Sequence, residues 1–143
     1  MKSSQIISSL DDLKSFTQQF VSHIQTPQLI LLQGPLGVGK TQWVRFLSES
    51  LGVERDICSP SFSLINIYQS PKVKIAHIDL FRLKDKEDLE STGIWDVFLD
   101  SQIVIVEWSD LFSIEWPKSW NQISIGFKFC ENKELRRMEW EKL

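Results

Sequence analysis

The sequence predicts a three-layer α/β fold with a mostly parallel central sheet, antiparallel strands at its edges and a C-terminal hairpin. Two short, wholly apolar runs, 29–32 and 103–106, have turn-forming or polar residues on both sides. Such runs are typical of strands that are buried on both faces. Segments with helical spacing alternate with the β-rich segments, and this alternation indicates a sheet that is covered by helices on both sides.

A first helix is predicted near the start of the chain. Apolar residues recur at three- and four-residue steps from Leu10 to Ile24. Ser8 or Ser9 is placed to cap the first turn, because a serine side chain can accept a hydrogen bond from a free N–H there. Pro27 sets the limit of this helix, since proline cannot continue it.

The remaining elements alternate in type along the chain. Apolar spacing and glycine punctuation predict two further helices, and β-rich runs separated by polar turns predict two pairs of neighbouring strands. The expected helices are 42–51, which Gly52 stops, and 85–99, which Gly93 interrupts; the expected strand pairs are 62–68 with 73–79 and 123–130 with 135–140.

Length and composition indicate one domain over residues 1–143. The chain is 42% hydrophobic, enough for a core without disulfides or a structural metal. Cys58 and Cys130 have no metal-binding or CxxC spacing, and we expect them to be reduced thiols. There is no apolar signal core and no run long enough to cross a bilayer, so a cytoplasmic protein without membrane contact is expected.

Net charge argues against direct binding of nucleic acid. The sequence has 16 lysines and arginines against 19 aspartates and glutamates, a formal net charge of −3. Neutralising phosphates along a nucleic acid requires a basic surplus. Any contact with nucleic acid is therefore expected to be indirect, through a partner.

A phosphate-binding loop is the most specific motif. Residues 34–41 match GxxxxGK[ST] and lie between a predicted buried strand and a helix. Glycines let successive N–H groups point inward at the positive end of the helix, where an anion binds. The predicted nucleotide-binding residues are Gly34, Gly37, Val38, Gly39, Lys40, Thr41 and Gln42.

Two residues of this loop have distinct expected roles. Lys40 is expected to reach the β- and γ-phosphates of a nucleoside triphosphate, and the Thr41 hydroxyl is expected to ligate Mg²⁺. With this motif, the predicted three-layer α/β fold becomes, more specifically, one like that of P-loop nucleotide hydrolases. No guanine-reading NKxD motif is present, since Asn132 and Lys133 are followed by Glu134, and this favours ATP.

Two carboxylates follow predicted strands. Glu107 follows 103–106 and is the better match to a second metal-supporting group, with a solvated strand end as the alternative. Asp79 follows another strand; it either makes a surface salt bridge to Arg82 or contributes to the site.

Four motifs in a fixed order carry a resemblance to a known family. They are the loop 34–41, Ser59-Pro60-Ser61-Phe62, His77-Ile78-Asp79-Leu80-Phe81-Arg82 and Glu107-Trp108. In this order they resemble the TsaE family, also called YjeE, over roughly residues 30 to 110. Three positions depart from the family pattern: Pro35 replaces an aspartate, Ser61 a threonine and Phe81 a tyrosine. Only Pro35 removes a charged group.

The resemblance implies a function that composition does not. TsaE proteins are small bacterial ATPases that support the TsaD–TsaB pair in adding a threonylcarbamoyl group to an adenosine of tRNA. They hydrolyse ATP weakly alone, and turnover is linked to association with the partners. The resemblance implies catalytic roles for Lys40, Asp79 and Glu107, with Asp79 either orienting water or ligating Mg²⁺, and Mg²⁺ binding by Thr41 and Glu107.

Other residues have two interpretations. The resemblance makes Ser59, Ser61, His77, Arg82 and Trp108 candidates for sensing the nucleotide or coupling it to a partner. Without it, 59–62 is either a switch loop or a plain turn, His77 a satisfied histidine inside the sheet and Trp108 a core aromatic. Arg136 and Arg137 either lie on a solvated face of the hairpin or contact the nucleotide.

Two other functions remain open. A small kinase acting on a metabolite shares the loop, the size and the sheet, but the sequence has no arginine-bearing insertion that would form a lid. A nucleotide-gated binding module needs ATP binding without hydrolysis.

Overall fold

Seven strands form one sheet in the computed structural model, which describes residues 2–54 and 64–143. Across the sheet the order is β1-β7-β6-β2-β5-β4-β3. The central strands β6, β2, β5 and β4 are parallel, and antiparallel strands flank them on both sides. The bounds are β1 Lys2–Ile7, β2 Gln28–Gln33, β3 Ile65–Gln69, β4 Lys74–Asp79, β5 Ile103–Glu107, β6 Asn121–Phe129 and β7 Arg136–Lys142. The predicted α/β class, edge strands and C-terminal hairpin are confirmed.

The sheet separates two apolar cores. Strands β2 and β5 are the predicted apolar runs, and their residues 28–32 and 103–107 are all buried. Successive side chains of a strand point to opposite faces. Ile30 and Ile105 therefore pack on one face with the helices α1 (Leu10–Phe20) and α2 (Lys40–Ser50), while Leu31 and Val104 pack on the other.

The first two helices agree with the sequence except at their ends. The side chain of Ser9 caps α1 by accepting from the Asp12 N–H, and a 3-10 turn at Val21–His23 follows. Helix α2 begins at Lys40, two residues before the expected start at Gln42. The glycine loop itself supplies the first turn, because Gly39 has a left-handed backbone with φ 115°.

The helix expected over 85–99 is interrupted at Gly93, as predicted: α3 (Lys86–Glu90) lies before it, and a 3-10 turn at Ile94–Asp96 with α4 (Val97–Asp100) follows it. Gly93, with φ 73°, redirects the chain between them. Strand β1 is absent from the predicted elements; it is a mostly exposed edge strand that pairs with β7. The strand expected at 62–68 is β3, and residues 62 and 63 lie outside the described residues.

The parallel strands aim their carboxyl ends at one edge of the sheet. There β2 ends at the glycine loop, β5 ends at Glu107 and β4 ends at Asp79. In open α/β sheets this edge is where ligands bind. Within residues 2–54 and 64–143, no helix combines the length and apolarity that a membrane crossing requires.

Candidate nucleotide-binding site

Gly34 fixes the exit of the glycine loop from β2. Its backbone has φ 146°, and a Cβ built there would lie 2.7 Å from the carbonyl oxygen of Phe127. Only glycine accepts both the positive φ and this close approach to strand β6. The loop then turns through Gly37, with φ 77°, into the N-terminus of α2. Its backbone N–H groups at this helix end favour an anion.

Lys40 is buried at the base of the loop. Its Nζ donates to the carbonyl oxygens of Gly34 and, at 3.3 Å, of Pro35. The same nitrogen lies 3.7 Å from the centre of the Trp108 ring, a cation–π contact. Burial lowers the pKa of Lys40, because water is removed from the charged form, and the carboxylates of Glu107, Asp79 and Asp110 act in the opposite direction.

Thr41 and Glu107 lie face to face across the sheet edge. The Thr41 hydroxyl is 3.1 Å from both carboxylate oxygens of Glu107 and donates to them. Glu107 is buried, and its Oε2 lies 2.6 Å from Nε2 of His77. A hydroxyl and a carboxylate beside a phosphate-binding loop are hard oxygen ligands of the kind that Mg²⁺ takes, together with phosphate oxygens and water. These residues therefore fit the ion.

Thr41 and Glu107 are few protein ligands for a metal ion, but Mg²⁺ requires few. Among the described parts of the chain, no group of three or more histidine, cysteine, aspartate or glutamate side chains is arranged to hold a metal alone. Mg²⁺ is usually bound through one or two protein groups and the phosphates of its nucleotide.

Asp79 lies beside Glu107 in the sheet. The two residues are partners in the parallel register of β4 and β5. Asp79 is 6% exposed, and its carboxylate accepts from the Phe81 N–H at 2.9 Å. The interpretation of Asp79 as a surface residue is therefore wrong; it belongs to the edge where the glycine loop lies.

One cavity of about 450 Å³ brings most of the predicted site residues together. The predicted residues that line it are Gly37, Gly39, Lys40, Thr41, Gln42, Asp79, Arg82, Glu107 and Trp108. Gly34 and Val38 support the loop from behind, and His77 lies below Glu107. Ser59 and Ser61 lie outside the described residues.

Trp108 forms a wall of this cavity. It is half-buried, its φ is 59°, and its ring centre lies 4.8 Å from that of Phe81. A positive φ is costly for a bulky residue and is often retained at functional sites. Trp108 thus packs against the core at the end of β5, as the core-aromatic interpretation expects, and also lines the cavity. Phe81 itself is half exposed, as a residue of the cavity rim.

A second cavity borders the glycine loop from the other side. It measures about 300 Å³ and connects residues 37–39 and Gln42 with Ser9 at the start of α1 and with Arg136 on β7. Arg136 is half-buried, whereas Arg137 is exposed. The sequence made Arg136 a candidate nucleotide contact, but no local pattern predicts that Ser9 and the start of α1 border the loop. Asp110 and Tyr68 are further residues near the site that no sequence motif singles out.

The fold and the site together define a P-loop nucleotide-binding protein. A family model described as "Threonylcarbamoyl adenosine biosynthesis protein TsaE" matches residues 7–138. The chain belongs to this TsaE family, whose role is in tRNA threonylcarbamoyladenosine biosynthesis.

Individual relatives agree with the family model. The chain is 33% identical over 112 residues to the tRNA threonylcarbamoyladenosine biosynthesis protein TsaE of Rickettsia bellii, covering 78% of this chain and 77% of that one. It is 28% identical over 125 residues to the protein of the same name from Bacillus subtilis, covering 87% and 78%. The crystal structure of Bacillus subtilis YdiB superposes with a TM-score of 0.77 at 20% identity, over 98% of this chain and 84% of YdiB, and shows the same fold.

Proposed function

We propose that this single-domain protein binds ATP with Mg²⁺ and hydrolyses it slowly, as an accessory to a TsaD–TsaB-type complex that modifies tRNA. The observation that carries the proposal is the Thr41–Glu107 pair, which lies beside the glycine loop in the first cavity. A loop alone binds phosphate; a hydroxyl facing a buried carboxylate adds the ligands for the metal.

Each residue of the cleft has a place in this proposal. The N–H groups of the loop and of the first turn of α2, up to Gln42, hold the phosphates, and Lys40 leaves its carbonyl contacts to reach them. Thr41 and Glu107 hold Mg²⁺, which neutralises charge on the transferring phosphoryl group. Asp79, buried next to Glu107, accepts a proton of the attacking water and orients it.

The second cavity is the proposed place of the nucleoside. It lies across the loop from the metal ligands, and its lining includes Gln42, Ser9 and Arg136. The guanidinium carbon lies 4.4 Å from the centre of the Phe129 ring, a contact that restrains it. A flat, weakly hydrated guanidinium stacks well on an aromatic base.

Coupling to the partner complex is proposed for the rim of the first cavity. Leu36 is 74% exposed and Phe81 48% exposed at that rim, where Arg82 also lies. Trp108 contacts both Lys40 and Phe81, and so links the phosphate end to the surface. Ser59 and Ser61 remain candidates for a switch. The net charge of −3 favours contact with tRNA only through the partners. The proposed location is the cytoplasm, where tRNA is modified.

The test is ATP turnover by the purified chain, alone and with the TsaD–TsaB pair, with Lys40→Ala as the control. We expect slow turnover alone, strong stimulation by the pair and loss of both in the variant. Absence of ATP binding and of stimulation would contradict the proposal. Rapid turnover only with an added metabolite would indicate a kinase instead. If Glu107→Ala abolishes hydrolysis and keeps tRNA modification, the protein acts as a nucleotide-gated module.

A further inference from the structure

We propose that Tyr68 is a positioning residue of the nucleotide site, which orients the metal-binding carboxylate of Glu107 through the ring of His77. The inference rests on the proposed function, because it assumes that Glu107 holds Mg²⁺. It assigns a role to a buried hydroxyl in β3, a strand whose residues do not line the cleft.

A continuous chain of hydrogen bonds runs from β3 to α2. The Tyr68 hydroxyl lies 3.1 Å from Nδ1 of His77, and Nε2 of His77 lies 2.6 Å from Oε2 of Glu107. The chain ends at the Thr41 hydroxyl, 3.1 Å from Glu107. Tyr68 and His77 are completely buried, so water does not compete for these atoms.

The proposed relay gives each bond a direction. The Glu107 carboxylate only accepts, so Nε2 of His77 carries a proton and donates to it. In the proposed tautomer Nδ1 carries no proton, and the Tyr68 hydroxyl donates to it. The same hydroxyl accepts from Nδ2 of Asn66 at 3.4 Å. Tyr68 thereby selects one tautomer of His77 and fixes the plane of its ring.

This arrangement matters because Glu107 must present its oxygens to a metal at a defined place. His77 anchors Oε2, which leaves both carboxylate oxygens equally distant from Thr41. Groups that orient a metal ligand in this way affect metal affinity by about 10- to 100-fold when they are removed. Tyr68 acts one residue further away, so we expect a smaller effect than that range, about three- to tenfold, for its hydroxyl.

A purely structural role predicts a different result. The Tyr68 ring also packs in the apolar core beneath α2, near Leu47 and Ile75. Tyr68→Phe keeps the ring and removes only the hydroxyl. If packing were its whole contribution, this variant would leave the response to Mg²⁺ unchanged and alter the unfolding free energy at most.

The first experiment measures binding of a fluorescent ADP analogue as a function of Mg²⁺ concentration. We expect Tyr68→Phe to require about three- to tenfold more Mg²⁺ to reach half of the Mg²⁺-dependent gain in affinity for the analogue. In the presence of a chelator its affinity for the analogue should equal that of the wild type. The matched control is Thr17→Val, which removes a buried hydroxyl bonded to the Leu13 carbonyl within α1, far from the cleft. An unchanged Mg²⁺ requirement in Tyr68→Phe would overturn the inference.

A double-mutant cycle and a spectroscopic readout test the route through His77. His77→Gln keeps an N–H donor for Glu107 but cannot relay the tautomer, so adding Tyr68→Phe to it should change the Mg²⁺ requirement no further. In ¹⁵N NMR of the wild type without ligand, His77 should show a protonated Nε2 and a bare Nδ1, with His23 as the internal reference. A protonated Nδ1, or additive effects in the cycle, would refute the relay.

The two proposals fail in different ways. If wild-type ADP binding does not respond to Mg²⁺, the proposed metal site and the role of Tyr68 in it are both wrong. If the wild type responds and Tyr68→Phe responds identically, the nucleotide site stands and Tyr68 is only a core residue.

Discussion

Replacing Lys40 with methionine separates nucleotide binding from folding. In the protein without nucleotide, the Lys40 ammonium contacts two carbonyl oxygens and the Trp108 ring. Binding exchanges these contacts for charged phosphate oxygens, which contribute about 1.5–3 kcal/mol each. The lost carbonyl and ring contacts offset about half of this for two phosphate bonds, so the net loss in Lys40→Met is about 1.5–3 kcal/mol.

This free energy corresponds to nucleotide binding that is weaker by about 10- to 150-fold. Folding should not suffer. Burial lowers the pKa of Lys40, so the charged form is less favourable in the folded protein than in the unfolded chain, and removing the charge removes that cost. We therefore expect an unchanged or higher Tm in Lys40→Met.

The assay is calorimetric titration with ADP and with ATP in Mg²⁺, and thermal unfolding of the same samples. Lys128→Ala is the matched control, since this lysine lies on β6 with its side chain 67% exposed and lines neither cavity beside the glycine loop. Affinity within about threefold of the wild type in Lys40→Met would refute the assignment of Lys40 to the phosphates.

Three further predictions follow from the same geometry. Gly34→Ala should lower the free energy of unfolding by about 2–5 kcal/mol in urea titrations, because the new side chain meets both a positive φ and a clash with Phe127. Gly37→Ala should lower it by only about 1–2 kcal/mol, because its φ is also positive but its Cβ would meet nothing within 4 Å. Trp108→Phe should retain ADP binding but reduce turnover stimulated by the TsaD–TsaB pair; unchanged partner binding and stimulation would rule out coupling. Arg136→Ala should weaken ADP binding by about three- to tenfold and leave inorganic triphosphate binding unchanged. An equal loss of affinity for both ligands would show that Arg136 contacts the phosphates and not the nucleoside.

The central part of the fold was predictable because its physical signals are local. Strands β2 and β5 are buried on both faces, so each is an uninterrupted apolar run, and the glycine loop between β2 and α2 has a fixed spacing. Glu107 and Asp79 end the predicted strands β5 and β4, so the sequence made both carboxylates candidates for the site, and they lie as partners in the parallel register.

The parts that were missed depend on tertiary pairing. Strand β1 is mostly exposed and polar, and it is a strand only because β7 offers it an edge, with an ion pair of 3.1 Å between Lys2 and Glu139. Tyr68 reads as an ordinary strand residue; only the register of β3 against β4 brings its hydroxyl to His77. Trp108 has a positive φ of 59° directly after β5, and no sequence pattern predicts this backbone conformation.

We propose above that this TsaE family member uses ATP to support tRNA modification by its partners. The most direct measurement is threonylcarbamoyladenosine formed on tRNA by the TsaD–TsaB pair over many turnovers, with and without this chain, in ATP or a non-hydrolysable analogue. We predict that modified tRNA continues to form over many turnovers only with the wild-type chain and ATP. Lys40→Met should not sustain product formation. Equal product without the chain, or with Lys40→Met, would contradict the account.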